Sequence, residues 1–286
     1  MTAWFELPVL WAASIALVFG LLIGSFLNVL VFRLPKAMHI YWEAQAKRGQ
    51  DDLSPPPHWI RGLSKPASSC PKCGHPIRWY ENIPVFSWVL LRARCSACKT
   101  PISLRYPLVE LSAGILTFLS TLRFGPSGTA IAASILLLTL LALALIDADT
   151  FELPDVLTLP LMWLGLLVNT TGMFVPLNDA VIGAAAGYLS LWSMYWLYLL
   201  TRGHEGMGYG DFKLMAALGA WMGWQMLPAI VLLSSLVGAA IGIFMILTAK
   251  LGWKKPLPFG PYLAGAGALA LFYGPQINAW YLGKFH

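Results

Sequence analysis

The sequence predicts an all-α polytopic membrane protein of about eight transmembrane helices, with a small metal-binding insertion after the first. Three observations carry this. The 286 residues are 58% hydrophobic and only 11% charged, against roughly 25% charged in an ordinary soluble domain. Apolar residues gather in runs near the ~20 needed to cross ~30 Å of hydrocarbon as a helix. All four cysteines fall in two C-x-x-C pairs inside a polar stretch between the first two runs.

Uncharged runs extend over Leu7 to Phe32, Gly128 to Ile146, Val156 to Asn178, Ala180 to Thr201 and Met226 to Ala249. Pro107 to Leu122 carries Glu110, Pro256 to Ile277 is interrupted by Gly and Pro, and Leu214 to Trp224 is short. The first run has no basic n-region and no small-residue cleavage site before a soluble body, so it is expected to stay in the membrane. Interfacial belts account for Tyr195, Trp196, Trp221 and Trp253 near span ends, although some of these side chains can equally pack between helices.

The net charge of +6 would suggest nucleic acid as a partner in a soluble protein, but here the basic residues follow topology. Twelve of the nineteen Lys and Arg lie between Arg33 and Arg105. Alternating sides from there puts Arg202, Lys213, Lys250, Lys254 and Lys255 on the same face, leaving only Arg123 and Lys284 opposite. The positive-inside rule then places the polar stretch in the cytoplasm, and the expected partner is the lipid bilayer, not nucleic acid. The resulting organisation is a first transmembrane helix over 1–32, a cytoplasmic loop over 33–105 and a seven-helix domain over 106–286. No internal repeat is evident, and the Pro-rich Gln45 to Trp59 reads as a loop.

Cys70 and Cys73 are separated from Cys95 and Cys98 by twenty-one residues. Two such knuckles bring four thiolates into a tetrahedron around Zn²⁺ at about 2.3 Å, and a loop of this size needs the clamp because it cannot bury much core. Two disulfides or a redox pair are the alternative, disfavoured in a reducing cytoplasm. With four Cys and no open position the site reads as structural, with His75 outside it.

Ionisable groups inside a span are costly and mark functional sites by default. The helix LTLLALALIDADTFELPD ends in Asp147, Asp149, Glu152 and Asp155, of which Asp147 lies nearest the hydrocarbon. A second acid, Asp211, follows the Gly-rich run from Glu205 to Gly210 at the head of the short sixth span. Two carboxylates sharing a proton meet the requirement of aspartic hydrolysis, one activating water and the other protonating the carbonyl. Helix capping is at least as good a reading for Asp149, Glu152 and Asp155. On helix dipoles alone, Asp147 at a C-terminus is expected to hold the shared proton and Asp211 at an N-terminus to be ionised, with Lys213 able to reinforce the anion or simply to snorkel.

Six stretches in order resemble the bacterial prepilin peptidases (type 4 prepilin leader peptidases), of the GxGD class of intramembrane aspartic peptidases. They are GSFLNVLVFRLP (Gly24 to Pro35), the two cysteine pairs with RWYENIP between them, ISLRYPLVEL (Ile102 to Leu111), LIDADTFELPDVLTLP (Leu145 to Pro160), GMGYGDFKL (Gly206 to Leu214) and PFGPYL (Pro258 to Leu263). The resemblance implies that Asp147 and Asp211 are catalytic. It further implies a multi-pass enzyme of the bacterial inner membrane, with zinc loop and active site towards the cytoplasm. Its substrates would be prepilins of type IV pili and pseudopilins of type II secretion, cleaved after a Gly at the cytoplasmic membrane face. N-methylation of the new N-terminal residue by S-adenosylmethionine is implied as a second activity, with no residues assigned to the methyl donor. An ion-coupled transporter also keeps acids among Gly-broken helices, and a non-enzymatic secretion assembly factor could use the zinc loop to dock. Only an enzyme shortens a prepilin.

Overall fold

The computed structural model describes residues 3–46, 67–203, 206–249 and 257–282. The loop expected from Gln45 to Trp59 falls, from Lys47 on, outside the described residues, as do Glu205, Lys250, Lys254, Lys255 and Lys284. Nine α-helices are described: α1 (Ala3–Ala46), α2 (Phe86–Leu90), α3 (Arg105–Phe124), α4 (Gly128–Thr150), α5 (Asp155–Asn169), α6 (Leu177–Arg202), α7 (Tyr209–Met222), α8 (Leu227–Ala249) and α9 (Gly260–Leu282). No strand occurs among the described residues; two isolated β-bridges lie in the cysteine loop. Five of the helices, α1, α3, α4, α6 and α8, are long and apolar enough to cross a membrane. The chain divides into two compact units, Met1–Ser134 and Ile135–His286.

In the first unit, α1 packs along α3. Gly20 and Gly24, four apart and so on one helix face, make the approach possible. A Cβ at Gly20 would stand 2.7 Å from the Ala113 carbonyl oxygen, and one at Gly24 2.7 Å from Glu110 Cα. Thr117 Oγ1 donates across this seam to the Ala16 carbonyl at 2.8 Å, and Asn28 Nδ2 to the Tyr106 carbonyl at 3.2 Å. The first helix does not stop near Phe32 as its apolar run suggests: α1 continues through Pro35 to Ala46. The continuation KAMHIYWEAQA is rich in good helix formers, and Gln45 Nε2 donates to Tyr41 Oη one turn back at 2.9 Å.

The second unit is built around α7. This helix has only 14 residues, yet every residue from Leu214 to Met222 is buried, as expected of a helix apolar on all sides. It packs against α5, α6 and α9. The α6 seam again uses glycines four apart. A Cβ at Gly183 would meet the Gly219 carbonyl oxygen at 2.4 Å, and one at Gly187 the Met215 carbonyl oxygen at 2.6 Å. Against α5, Trp221 fits over Gly165 and donates its indole N–H to the Leu161 carbonyl at 2.8 Å.

The apolar run Val156 to Asn178 predicts one span, but α5 ends at Asn169. Asn169 accounts for the stop. Its Nδ2 donates to the carbonyls of Ala220 and Trp221 at 2.9 and 3.1 Å, and its Oδ1 accepts the Phe174 and Val175 N–H groups at 3.0 and 3.2 Å. A fully satisfied buried amide outweighs the apolar residues beyond it.

Gly219→Ala is expected to cost on the order of 1–3 kcal/mol, because the added methyl overpacks the α6–α7 seam against backbone that cannot rotate away. Reversible SDS unfolding of the purified protein checks this, with Gly265→Ala as control, since a Cβ there meets nothing within 4 Å.

Candidate active site and metal centre

Asp147 and Asp211 lie in the second unit. Asp147 sits in the last turn of α4 and Asp211 in the first turn of α7, and their residues are only 6% and 7% exposed. The carboxylates are near enough for the charge on Asp147 to act on Asp211. Local geometry brings the two helix ends together. The last turn of α4 closes with the Phe151 N–H donating to the Asp147 carbonyl at 2.9 Å, Phe151 itself standing at φ 58°. The chain then turns through Leu153, whose Cβ would be 2.6 Å from any Cβ at Gly210. Only glycine at 210 lets the head of α7 pass this close to the turn after α4.

A third element completes the site. The backbone N–H of Gly260, the first residue of α9, donates to Asp147 Oδ2 at 2.8 Å. No sequence signal pairs this glycine with Asp147, although Pro258-Phe-Gly-Pro before an apolar run reads as a helix start. The contact also corrects the dipole assignment of the shared proton. That assignment sets the C-terminus of α4 against Asp147, whereas the N-terminus of α9 applies the opposite field to the same carboxylate. Helix ends alone therefore do not choose between the two acids. Asp211 Oδ1 is buried with no hydrogen-bond partner, a costly placement that structure tolerates at reacting groups.

Lys213 does not serve Asp211. Its Nζ contacts both carboxylate oxygens of Asp155 at 2.6 and 2.7 Å, tying the start of α5 to α7. Asp149 and Asp155 are exposed and Glu152 half-buried.

The four cysteines converge in the first unit. Their Sγ atoms all lie within 4.8 Å of one another, and those of Cys70 and Cys98 are 3.7 Å apart. A regular tetrahedron with bonds of about 2.3 Å has edges of about 3.8 Å, so the donors fit one metal ion. None of the four is disulfide-bonded in this structure. His75 is not part of the cluster; its Nε2 is 3.6 Å from Glu81 Oε2.

The two knuckles are copies, which corrects the expectation of no internal repeat. Cys70 N–H donates to the His75 carbonyl and Gly74 N–H to the Cys70 carbonyl; twenty-five residues on, Cys95 and Lys99 make the same bonds to Thr100 and Cys95. Bridges Ser69–Pro76 and Arg94–Pro101 flank them. The shared string C-x-x-C-x-x-P-I is visible in the sequence. Glu81 links the copies, held below the ordinary carboxylate range by the Arg78 backbone N–H and then by the Ser96 side chain. The Thr100 hydroxyl, 3.2 Å from Cys98 Sγ, and next the Thr100 backbone N–H bring the Cys98 thiol down to about 6. Against the lowering His75 backbone N–H, desolvation and the other three thiols push Cys73 up to about 11.

Where the first knuckle has Gly74 at φ 72°, the second has Lys99 at φ 60°. Lys99→Gly is therefore expected to stabilise the metal-loaded loop by roughly 0.5–1 kcal/mol through relief of left-handed strain. The concentration of chelator needed for half release of the metal would rise.

Residues 18–124 match the family model described as the bacterial Peptidase A24 N-terminal domain, and residues 134–243 match the type IV leader peptidase family. Relatives named prepilin leader peptidase/N-methyltransferase include one from Aeromonas hydrophila, 53% identical over 95% of this chain and 94% of its own length. Another, from Stutzerimonas stutzeri, is 54% identical over 93% of this chain and 92% of its own. A third, from Pseudomonas aeruginosa, is 53% identical over 92% and 91%. No solved structure matches. With relatives above half identity along nearly its whole length and both acids inside the peptidase match, the chain belongs to the type IV leader peptidase family.

Proposed function

We propose that this protein is an intramembrane aspartic endopeptidase that removes the leader of type IV prepilins and type II secretion pseudopilins. Cut after a Gly, the substrate would lose a leader that stays at the cytoplasmic face of the bacterial inner membrane. The observation that carries the reading is the pair of buried carboxylates of Asp147 and Asp211, delivered by two helix ends, one of them with an unpartnered oxygen.

The chemistry follows from that arrangement. One carboxylate of the pair takes a proton from water as it attacks the scissile carbonyl, while the other protonates the carbonyl oxygen. Gly260 N–H holds Asp147 Oδ2 in place, and a fixed carboxylate loses little orientational freedom on reaching the transition state. Gly208 leaves room for an extended substrate segment beside Asp211, since a Cβ there would meet nothing nearer than Asp211 Oδ2 at 3.8 Å.

The cysteine cluster is proposed to hold structural Zn²⁺ through Cys70, Cys73, Cys95 and Cys98. When bound, the ion would clamp the two knuckles together, and with four protein thiolates it would keep no position for water or substrate. The relatives' names support N-methylation of the newly exposed residue, with S-adenosylmethionine supplying the methyl group, as a second activity. The concentration of Lys and Arg between Arg33 and Arg105 supports the cytoplasmic placement of the loop.

Incubating purified protein with a full-length prepilin tests the central claim. Mass spectrometry should find the substrate shortened by its leader after the Gly. A substrate that stays intact in the presence of wild-type protein retaining its metal would favour an assembly factor or transporter.

A further inference from the structure

The short helix α2 carries an exposed apolar face. Phe86, Val89 and Leu90, at positions i, i+3 and i+4, are 58%, 59% and 65% exposed, and this spacing sets them on one side of the helix. Between them Ser87 and Trp88 turn inward, Ser87 Oγ donating to the Ile83 carbonyl and Trp88 Nε1 to the Ile102 carbonyl. Three large apolar side chains on a five-residue helix would be a liability in water.

The turn that leads into α2 is held by a buried acid that the proposed proteolytic chemistry does not use. Glu110 lies in the membrane-spanning α3 and is 8% exposed. Its Oε2 accepts the Val85 N–H at 2.7 Å, and Val85 immediately precedes α2. Val85 stands at φ 60° and ψ −49°, with the Phe86 N–H turned back onto the Pro84 carbonyl at 2.5 Å, a tight γ-turn of the strained hand. A β-branched residue keeps that conformation only where its surroundings impose it. Glu110 is five residues into α3, so at 1.5 Å per residue it lies roughly 7–8 Å below the helix start. Measured from a membrane surface set at the start of α3, that distance corresponds to the boundary between headgroups and acyl chains, where amphipathic helices lie flat.

The charge of the same segment is one-sided. From Ile77 to Arg105 the chain carries Arg78, Arg92, Arg94, Lys99 and Arg105 against Glu81 alone. Arg92 and Arg94, just past α2, lie within this basic stretch, and Trp79, 82% exposed, has the amphipathic ring common at membrane interfaces.

We infer that α2 is an interfacial helix that inserts Phe86, Val89 and Leu90 among the acyl chains of the bilayer, while Arg92 and Arg94 contact anionic phospholipid headgroups. Glu110 and Val85 hold it at that depth, so the metal-binding loop rests on the membrane surface instead of projecting from it.

Photo-crosslinking of the full chain in lipid nanodiscs tests this. The benzophenone amino acid p-benzoylphenylalanine is placed at position 86 or 90, with position 115, an exposed residue in the span of α3, as lipid-facing control and position 72, exposed in the first knuckle, as solvent control. Phospholipid adducts are expected at 86, 90 and 115 but not at 72. Yield at 86 should rise by about threefold or more when phosphatidylglycerol is mixed into phosphatidylcholine, and Arg92→Gln with Arg94→Gln should remove that rise. Adducts at 86 and 90 to a second copy or to another protein, or none where 115 reacts, would overturn the inference, as would yields indifferent to phosphatidylglycerol. In the unsubstituted protein, backbone hydrogen exchange over residues 86–94 should slow in phosphatidylglycerol discs, which covers failure of a substituted chain to fold; unchanged exchange counts against the helix being seated on anionic lipid.

Discussion

Asp147→Asn and Asp211→Asn are each expected to lower leader cleavage by about 10³-fold or more while the protein stays folded in the membrane. Asparagine keeps the size and the hydrogen-bonding reach of the side chain, so Gly260 N–H can still donate to the amide oxygen introduced at position 147, and the α4–α9 contact survives. What is lost is the capacity to carry a proton between water, carbonyl and leaving amine. Because the pair acts as one unit, the double substitution should cost little more than either single one. Asp149→Asn is expected to leave cleavage within a few-fold of wild type, since Asp149 is exposed two residues beyond the buried Asp147. Single-turnover cleavage of a prepilin, followed by mass spectrometry, measures all four. Full activity in the Asp147→Asn protein together with loss in Asp149→Asn would move the dyad to the other acid.

Cys95→Ser is expected to have the second-largest effect, on metal content and on the order of the loop. Cys95 is 8% exposed, the most enclosed of the four cysteines, and its N–H and carbonyl are both engaged in the second knuckle. Structural zinc sites in small domains contribute apparent binding free energies of roughly 10–16 kcal/mol, and loss of one thiolate forfeits a large share of this. Zinc stoichiometry should fall from near one towards zero, with residues 70–99 becoming sensitive to protease. Cleavage should fall by less than in either aspartate variant, because both acids and the Gly260 N–H that holds Asp147 lie in the other unit. A wild-type protein purified under reducing conditions without stoichiometric zinc would remove the basis of this expectation.

Much of the site was legible because its chemistry is tied to rare residue types. An acid in an apolar run is conspicuous, so Asp147 and Asp211 stood out, and four cysteines in two C-x-x-C strings announce a metal centre before any geometry is known. Helix existence was legible for the same reason, since long uncharged runs have few alternatives in a bilayer. Boundaries were less so. Hydropathy could not report that α5 halts at Asn169, because the cause is a set of hydrogen bonds to α7 and to the following turn. Nor could it report that α1 passes beyond Arg33, because helix propensity carries the element past the apolar run.

By itself, then, the sequence determined the helical class, the candidate acids and the candidate metal ligands, each of which follows from composition or from spacing along one element. Partnerships between elements were decided by tertiary structure. Lys213 was placed by sequence beside Asp211 but in space pairs with Asp155. Gly260, more than a hundred residues from Asp147, donates to its carboxylate. Glu110, the acid that weakened a span in the hydropathy reading, accepts the Val85 N–H twenty-five residues away in sequence. The physical reason is common to all three. A buried charge or polar group must find a partner where the dielectric is low, and which group supplies it depends on the packing of helices whose order along the chain does not fix their neighbours.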